Sequence, residues 1–492
     1  MADHDDSPTP APPPACPDAV PLCVDLDGTL IRGDLLHQSL CAWLGDRPGS
    51  VWRLPGWLAA GKAALKHRLA DEVAVDAARL PYRRDVLDWL RAQKAAGRTL
   101  VLATASHERY ARAVAEHLGL FDRVIASDAD TNRRGVHKVA AIRAAVGETF
   151  DYVGDSDADV PLVDACRRIT LVEPTAALRA AAQEADKIER VFPRPAGPGP
   201  AAALLKLMRP HQWAKNLLLF VPLAVGHRLG EPALLWVAFL GFLAFCAAAS
   251  SVYIVNDLVD IESDRGHPTK CRRPLAAGTV GVPVALAAAG GLLVAAAGLA
   301  LLAGGFPFLG WLVAYLVLTT AYSFVVKKRV LLDVLLLAWL YTHRVMAGGA
   351  VVGIVLTPWL IAFSSFVFLS IAFAKRYAEL KRAASDDTER NPRRGYRADD
   401  LPLIGNAGPA AGMAATLVLA LYIQSDDVVS RDLYGHRAVL WLILPLFLYW
   451  ILRVWLIAFR GDLDEDPIAF AIRDRMSYVC LIAAAVVMIV AT

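Results

Sequence analysis

The 492-residue sequence has no CxxC pair and no regular cysteine spacing, which excludes both a disulfide scaffold and a cysteine metal cluster. Its seven cysteines (Cys16, Cys23, Cys41, Cys166, Cys246, Cys271 and Cys480) therefore read as buried or incidental thiols in a reducing compartment. An excess of either charge is missing too. With 51 Lys+Arg against 48 Asp+Glu the net charge is +3, so nothing points to nucleic acid as a partner. The opening MADHDDSPTPAPPPACPDAV is acidic and proline-rich and lacks the apolar core of a signal peptide. Residues 1–19 are expected to form a disordered tail, and the domain after them to stay in the cytoplasm. What the chain has in abundance is apolar surface: 56% hydrophobic residues and only 20% charged, with a mean hydropathy of +0.41. That is too apolar for a disordered chain and unusual for a soluble one. The apolar residues are unevenly placed. Residues 20–191 read as a soluble domain, 192–203 as a Pro/Gly/Ala linker, and 204–492 as a membrane domain.

In the soluble part, short apolar runs alternate with helical stretches, the signature of a parallel α/β sheet. Candidate strands are 21–24, 99–103, 123–126, 152–153 and 170–172. Polar residues follow several of them: Asp25-Leu26-Asp27-Gly28-Thr29, then Thr104, then Gly154-Asp155-Ser156-Asp157-Ala158-Asp159. Lys138 opens a further helix in GVHKVAAIRAAV. Open α/β sheets bind ligands at the carboxyl ends of their strands, so these groups should share one crevice. DLDGTL, LATAS, Lys138 and GDSDAD, in that order, resemble the four motifs of the haloacid dehalogenase superfamily across the whole soluble region. The resemblance implies phosphatase chemistry. Asp25 is the expected nucleophile, forming an acyl phosphate, and Asp27 the general acid and base. Thr104 and Lys138 are expected to hold the phosphoryl oxygens. Asp155, with Asp159 behind it, is expected to hold Mg²⁺ beside Asp25, with Asp157 a competitor for either metal role. About 75 residues separate the first two motifs, room for a small helical cap around 32–80. Trp43, Trp52 and Trp57 would form its core or rest on the membrane.

Beyond residue 204 nine apolar segments are predicted to span: 216–226, 233–255, 281–303, 306–326, 331–352, 357–374, 408–424, 438–458 and 476–491. The first is short for a span. Counting from a cytoplasmic start, the inner loops carry eighteen Lys/Arg and the outer loops three. That bias agrees with a multi-pass protein of the inner (cytoplasmic) membrane whose N-terminal domain faces the cytoplasm. After the second segment come Asn256, Asp257, Asp260 and Asp264. The three aspartates share one helix face and repel one another unless a cation sits among them. Mg²⁺ carrying substrate phosphates meets both demands. The cationic run Lys270, Arg272 and Arg273 follows and suits phosphate oxygens.

NDxxDxxxD together with nine apolar segments resembles the UbiA superfamily of membrane transferases over residues 204–492. Tyr322 with Lys327-Lys328-Arg329 looks like that superfamily's YxxxKR-type loop. RPHQWAKN (209–216), NDLVDIESDRGHPTKCRRPLAAG (256–278), HRVMAGG (343–349), KRYAEL (375–380) and DPIAFAIRDR (466–475) look closest to its decaprenyl-phosphate phosphoribosyltransferase branch. One departure separates the branches. Aromatic prenyltransferases carry a second acidic motif, YAxxDxxxD; here Tyr377-Ala378 is followed by Lys381 and Ser385 at the two aspartate positions. With Lys375, Arg376 and Arg382 nearby, the site has become cationic and suits direct contact with a phosphate monoester. Asp386 and Asp387 keep a shifted acidic motif open.

The resemblances together imply an N-terminal α/β Rossmann-like haloacid dehalogenase domain with a small helical cap, and a C-terminal all-α integral membrane bundle of nine transmembrane helices. The expected reaction is Mg²⁺-dependent transfer of 5-phosphoribose from phosphoribosyl diphosphate to a polyprenyl phosphate, with the phosphatase domain then removing the 5-phosphate. Metal ligands in the membrane half are Asp257, Asp260 and Asp264. Expected substrate contacts are Lys215, Asn256, Lys270, Arg272, Arg273, Lys327, Lys328, Arg344, Lys375, Arg376, Tyr377 and Lys381. Lys327 and Lys328 serve equally well as topology signals. His343 and Arg344, inside a span, should face the bundle interior as site residues or as a buried structural pair. The alternative reading is a prenyltransferase moving an isoprenoid onto an aromatic or other acceptor beside a regulatory or separate phosphatase module. A homo-oligomer is left open.

Overall fold

The computed structural model describes residues 20–194, 199–385, 395–425, 435–463, 470 and 474–491. The predicted tail 1–19, the pair Asp386 and Asp387, and most of the 466–475 segment lie outside the described residues. Contacts divide the chain into two units. One runs through Leu207 and includes Ile254–Ala287; the other comprises Met208–Tyr253 and the chain from Ala288 onward.

The first unit is built on six parallel strands: β1 (Leu22–Val24), β2 (Leu100–His107), β3 (Arg123–Ser127), β4 (Asp151–Gly154), β5 (Ile169–Val172) and β6 (Ile188–Phe192). Their order in the sheet is β3-β2-β1-β4-β5-β6. Helices cover both faces, so the central strands are apolar on both sides. Leu22, Val24, Leu100 and Leu102 pack with Val86, Leu90 and Val114. Cys23, Val101, Ala103 and Tyr152 pack on the other face with Ile142, Leu162 and Leu178. β1 pairs with β2 on one side and β4 on the other. The chain direction across the sheet reverses there, which is where such sheets form a binding crevice. Five strands match those expected. β6 escaped because it is an edge strand whose Glu189 and Arg190 are exposed, leaving no continuous apolar run. Phe192, assigned to the linker, ends β6, and Pro200–Met208 at the linker's far end is helical.

Between Asp27 and β2 lies the cap: helices Leu35–Asp46, Leu54–Ala59 and Lys62–Glu72. Asp34 starts the first, its carboxylate accepting from the Leu36 and His37 amides at 2.8 and 3.2 Å. Trp43 is 1% exposed and packs with Leu65, Leu69 and Val73. Trp57 rests on it with ring centroids 4.7 Å apart, whereas Trp52 is exposed. Trp43 Nε1 donates to Glu72 Oε2 at 2.8 Å, and Arg47 and Arg53 pair with the same carboxylate at 2.6 and 2.7 Å. Segment Ile254–Ala287 belongs to this unit. Arg265 Nη1 donates to Gln38 Oε1 of the cap at 3.0 Å, and its Nε to Ala276 O at 3.1 Å.

Elsewhere the chain is helical. Six helices among the described residues are long and apolar enough to cross a membrane: Pro232–Val259, Val282–Lys328, Leu332–Val352, Pro358–Arg382, Ala398–Gln424 and Arg437–Arg460. The nine expected spans are not all single long helices. The expected spans 281–303 and 306–326 are the two arms of Val282–Phe324, separated at the non-helical Gly304 and Gly305, where Gly305 has φ +63° and Pro307 starts the second arm. Arg475–Ala491 is apolar but shorter than the six. Residues 216–226 are not part of one long helix: Pro210–Phe220 is a 3₁₀ run and Val221–Val225 a five-residue helix. Outward-facing Val294, Leu302 and Phe306 are exposed, while Ala244, Ala248, Ala296 and Ala300 pack inward. Small residues inside and large apolar ones outside suit helix packing within lipid.

Truncating the cap's central ring tests this account. Trp43→Ala removes a buried aromatic, a change that costs about 3–5 kcal/mol, so limited trypsin digestion of the full chain should cut faster after Arg53 and Lys62. Trp43 and the two arginines hold the Glu72 carboxyl below its ordinary 4.5. Its contribution is therefore present above 4.5 and lost as pH falls through the lower folded value. Glu72→Gln should loosen the cap at pH 7 and converge on wild type in acid; equal cleavage rates at pH 7 would refute the role.

Candidate active sites

Asp25 directly follows β1, and its amide donates to Val153 O at 3.0 Å, anchoring it beside β4. Lys138 Nζ lies 3.0 Å from Asp25 Oδ1 and 3.2 Å from Asp159 Oδ1, and donates to Tyr152 Oη at 2.9 Å. Tyr152 Oη in turn donates to Asp159 Oδ1 at 2.7 Å. Asp159 Oδ2 accepts from the Asp155 and Ser156 amides, each at 3.3 Å, so Asp159 sits fully buried behind Asp155. Thr29 Oγ1 donates to Asp155 Oδ1 at 3.1 Å. Asp25, Asp155 and Asp159 each offer an oxygen within 4.8 Å of the others. Asp157, the competitor, is exposed and outside that group.

Gly28 has φ +78°, and a Cβ there would collide with the Asp155 carboxylate. Only glycine lets the first and fourth motifs approach this closely. Asp27 accepts from the Leu35 amide at 2.9 Å and from Ser106 Oγ at 2.5 Å. Thr104 Oγ1 is buried and accepts from the Ser106 amide at 3.0 Å. Ser106, Thr29 and Tyr152 were not singled out in the sequence. Ser106 is two residues past Thr104, where β2 departs from regular pairing between Ala103 and His107, and its amide turns back onto Thr104 Oγ1.

Three carboxylates against one ammonium raise one another. Burial pushes Asp25 up to about 6 in spite of Lys138. Asp155 rises to about 8 through burial and the Asp25 charge. Burial, with Asp34 nearby, lifts Asp27 to about 7, a proton affinity suited to donating and accepting near neutrality. An all-oxygen donor set of this kind fits a hard divalent cation.

The second acidic group of this unit lies on segment 254–287. Backbone bonds from Asp260 N to Asn256 O (2.9 Å) and Asp264 N to Asp260 O (2.8 Å) continue the helical register past Val259. The aspartates thus share a face, as their spacing predicts. Asp257 and Asp264 are buried, and both bind Arg273 Nη1, at 3.1 and 2.6 Å. Arg273, expected on a phosphate, is instead a carboxylate bridge, because two buried anions on one face need a cation between them. Asn256 is half-buried. Lys270 and Arg272 sit on a short 3₁₀ turn, Lys270 partly exposed and Arg272 exposed.

In the second unit several expected substrate contacts are engaged by protein. Arg344 donates from Nε to Asn216 Oδ1 (2.9 Å), from Nη1 to Leu340 O (2.6 Å) and from Nη2 to Tyr315 Oη (3.1 Å). It is 5% exposed and faces the bundle interior, and these three partners are uncharged. Arg376, also buried, pairs with Asp333 at 2.6 Å and with Glu379. Tyr396 Oη donates to the same Asp333 at 2.6 Å. Arg376 is thus matched by carboxylates inside the fold, whereas Arg344 is held by neutral acceptors. Lys381 Nζ donates to Phe459 O. Tyr377 meets Phe459 edge-on at 5.0 Å. Lys215 Nζ donates to Gln212 Oε1 at 2.6 Å. Lys327 and Lys375 are half-buried and Lys328 exposed. His343 is 2% exposed, and neither ring nitrogen has a hydrogen-bond partner.

An acidic α/β crevice and a set of long apolar helices thus occur in one chain. It belongs to the UbiA prenyltransferase family, whose model matches residues 217–486, and it carries a haloacid dehalogenase-like hydrolase domain over residues 22–164. It is 37% identical to an uncharacterised protein of Sinorhizobium fredii, over 95% of this chain and 91% of that one. It is also 30% identical to a decaprenyl-phosphate phosphoribosyltransferase of Mycolicibacterium smegmatis, over 57% of this chain and 90% of the relative. Among solved structures, a UbiA homolog from Archaeoglobus fulgidus bound to GPP and Mg²⁺ aligns at 17% identity with a TM-score of 0.44, covering 58% of this chain and 99% of that one.

If Asp27 moves the proton, Asp27→Asn in the full chain should lower kcat for p-nitrophenyl phosphate by about 10²–10⁴-fold. KM should change little, and Asp25→Asn should abolish turnover. Wild-type rates in both variants would remove the hydrolase assignment from this crevice.

Proposed function

We propose that the chain is a bifunctional membrane enzyme that makes a polyprenyl-phosphoryl-ribose. The observation carrying this reading is Lys381 at the position where an isoprenoid-diphosphate transferase has an aspartate, in a chain that also bears a phosphomonoesterase crevice. Similarity to proteins named decaprenyl-phosphate phosphoribosyltransferase supports it. In the first step a phosphate oxygen of polyprenyl phosphate attacks the anomeric carbon of phosphoribosyl diphosphate. The bond from that carbon to the diphosphate oxygen breaks, and pyrophosphate leaves. The nucleophile is already ionised, so positioning and charge neutralisation suffice without a general base. Arg273 would exchange its carboxylates for the diphosphate oxygens, with Lys270 and Arg272 beside it.

In the second step the Asp25 carboxylate attacks the phosphorus of the ribose 5-phosphate, and Asp27 gives its proton to the departing O5. Asp27 then takes a proton from the water that cleaves the acyl phosphate, releasing inorganic phosphate. Lys138 and Thr104 hold the transferred oxygens. Asp25, Asp155 and Asp159 would hold one Mg²⁺, and Asp257, Asp260 and Asp264 another, each supplying neutralisation of phosphate charge. The excess of Lys/Arg in the loops assigned to the inner side supports a location of both sites at the cytoplasmic face of the inner membrane.

Purified protein given polyprenyl phosphate, ribose-labelled phosphoribosyl diphosphate and Mg²⁺ should yield labelled lipid. Its absence, with label instead transferred from geranylgeranyl diphosphate, would favour the prenyltransferase reading. Asp257→Asn should cut lipid formation at least about tenfold, as loss of one charged ligand implies. Asp25→Asn should leave the 5-phosphorylated lipid to accumulate; an unchanged product ratio would separate the two halves. EDTA should stop both steps and added Mg²⁺ restore them.

A further inference from the structure

The pocket over Asp25 holds more positive charge than one phosphate monoester needs. It has a volume of about 520 Å³, with Asp25, Asp27, Lys138 and Asp155 among its lining residues. Four more cations line it, none of them in the motifs assigned above: Arg32, Lys62, Lys66 and Arg134. Asp34 is the one further lining carboxylate among the described residues, and it is engaged at the start of the first cap helix. Lys66 Nζ donates to Ala105 O and, at 2.9 Å, to Asn132 Oδ1. Those two bonds fix the ammonium at the pocket edge and leave one of its three donors. Burial lowers the proton affinity of Lys66, the Asp27 and Asp34 charges oppose that, and Arg134 and Lys62 stand close enough to add to the lowering. The Arg32 Nε is buried without a hydrogen-bond partner. Four apolar side chains, Ile261, Leu275, Val280 and Val282, also line it.

We infer that this pocket takes a sugar phosphate carrying two phosphoryl groups. The monoester lies on Asp25, the second phosphate is gripped by Lys62, Lys66, Arg134 and Arg32, and the apolar chain esterified to that second phosphate runs along Ile261, Leu275 and Val280. The inference rests on the phosphatase reading above and adds the residues that select its substrate. Four cations lining one pocket make a site for a phosphodiester anion, since charge-assisted bonds to phosphate are the strong ones available to Lys and Arg. The apolar lining distinguishes a lipid-linked diester from a free sugar bisphosphate, which would gain nothing from it.

The test uses the full-length protein in detergent with three substrates: ribose 5-phosphate, ribose 1,5-bisphosphate and a short-chain polyprenyl-phosphoryl-ribose 5-phosphate. Lys62 and Arg134 are exposed, so Lys62→Met/Arg134→Met should leave folding intact. It should lower the kcat/KM ratio of either two-phosphate substrate over ribose 5-phosphate at least tenfold, through KM. An unchanged ratio overturns the second-phosphate site, as does an equal loss on all three substrates. Leu275→Ala should lower the preference for the lipid-linked substrate over the free bisphosphate several-fold; no change there overturns the lipid assignment. None of these ratios depends on the transferase step, so failure to form labelled lipid overturns that reading without touching this one.

Discussion

One ammonium group holds the hydrolase crevice together. Lys138 Nζ touches Asp25 after β1 and Asp159 beyond β4, and its chain rises from a helix between β3 and β4. It is 2% exposed, and a buried lysine persists in charged form only when anions repay its lost hydration. Here Asp25, Asp159 and the Tyr152 hydroxyl do so. The same contacts set the position of the nucleophile. Removing the lysine would leave two carboxylates facing each other within a few ångströms in a dry pocket, so geometry and charge balance are one constraint.

Arg273 does comparable work on segment 254–287. Two buried aspartates a full seven residues apart share its Nη1. That sharing requires helical register across the junction between Val259 and Ile261, which the backbone bonds at Asp260 and Asp264 maintain. An arginine held by carboxylates is already placed where phosphate charge would arrive. Arg376 and Arg344 differ in kind: the first is matched by Asp333 and Glu379, the second by neutral acceptors and the Tyr315 ring. Exchanging such deeply buried partners for substrate would leave uncompensated polar groups inside a helix bundle, which is costly.

What the sequence disclosed follows from how local each signal is. Central strands announced themselves because burial on both faces forces continuous apolar runs, and the polar residues after them were readable as a crevice. β6 did not, since an edge strand needs apolar contacts on one side only. The aspartate spacing gave a shared helix face, but nothing local indicated that Arg273 would bridge it. Basic residues looked alike in sequence, whether they end as Arg376 in an ion pair or as Lys62 at a pocket edge, because their partners lie tens of residues away. Hydropathy located the break at Gly304-Gly305 between two arms, but it did not show that the stretch holding Pro210 and Pro222 would fold as short helical pieces.

Segment 254–287 also explains why two chemistries share one chain. Ile261 and Leu275 line the hydrolase pocket, while Asp257 and Asp264 lie on the same stretch of backbone. The product of the proposed transfer carries a 5-phosphate, a phosphodiester and an apolar chain, and the cations and apolar residues lining the pocket complement the last two. On the proposed pathway, a separate soluble phosphatase would have to extract that product from the bilayer or reach it there. A pocket whose wall is the transferase's own loop avoids the extraction and raises the local concentration of its substrate. The linkage also makes the wall a shared constraint, because a change at Leu275 or Gly278 alters the pocket and the segment that carries the aspartates together. Gly278 illustrates this: with φ +69° it packs so closely on Arg32 that a Cβ would strike that residue's backbone. The turn that closes the cationic loop is therefore also what brings Arg32 and the apolar wall to one pocket.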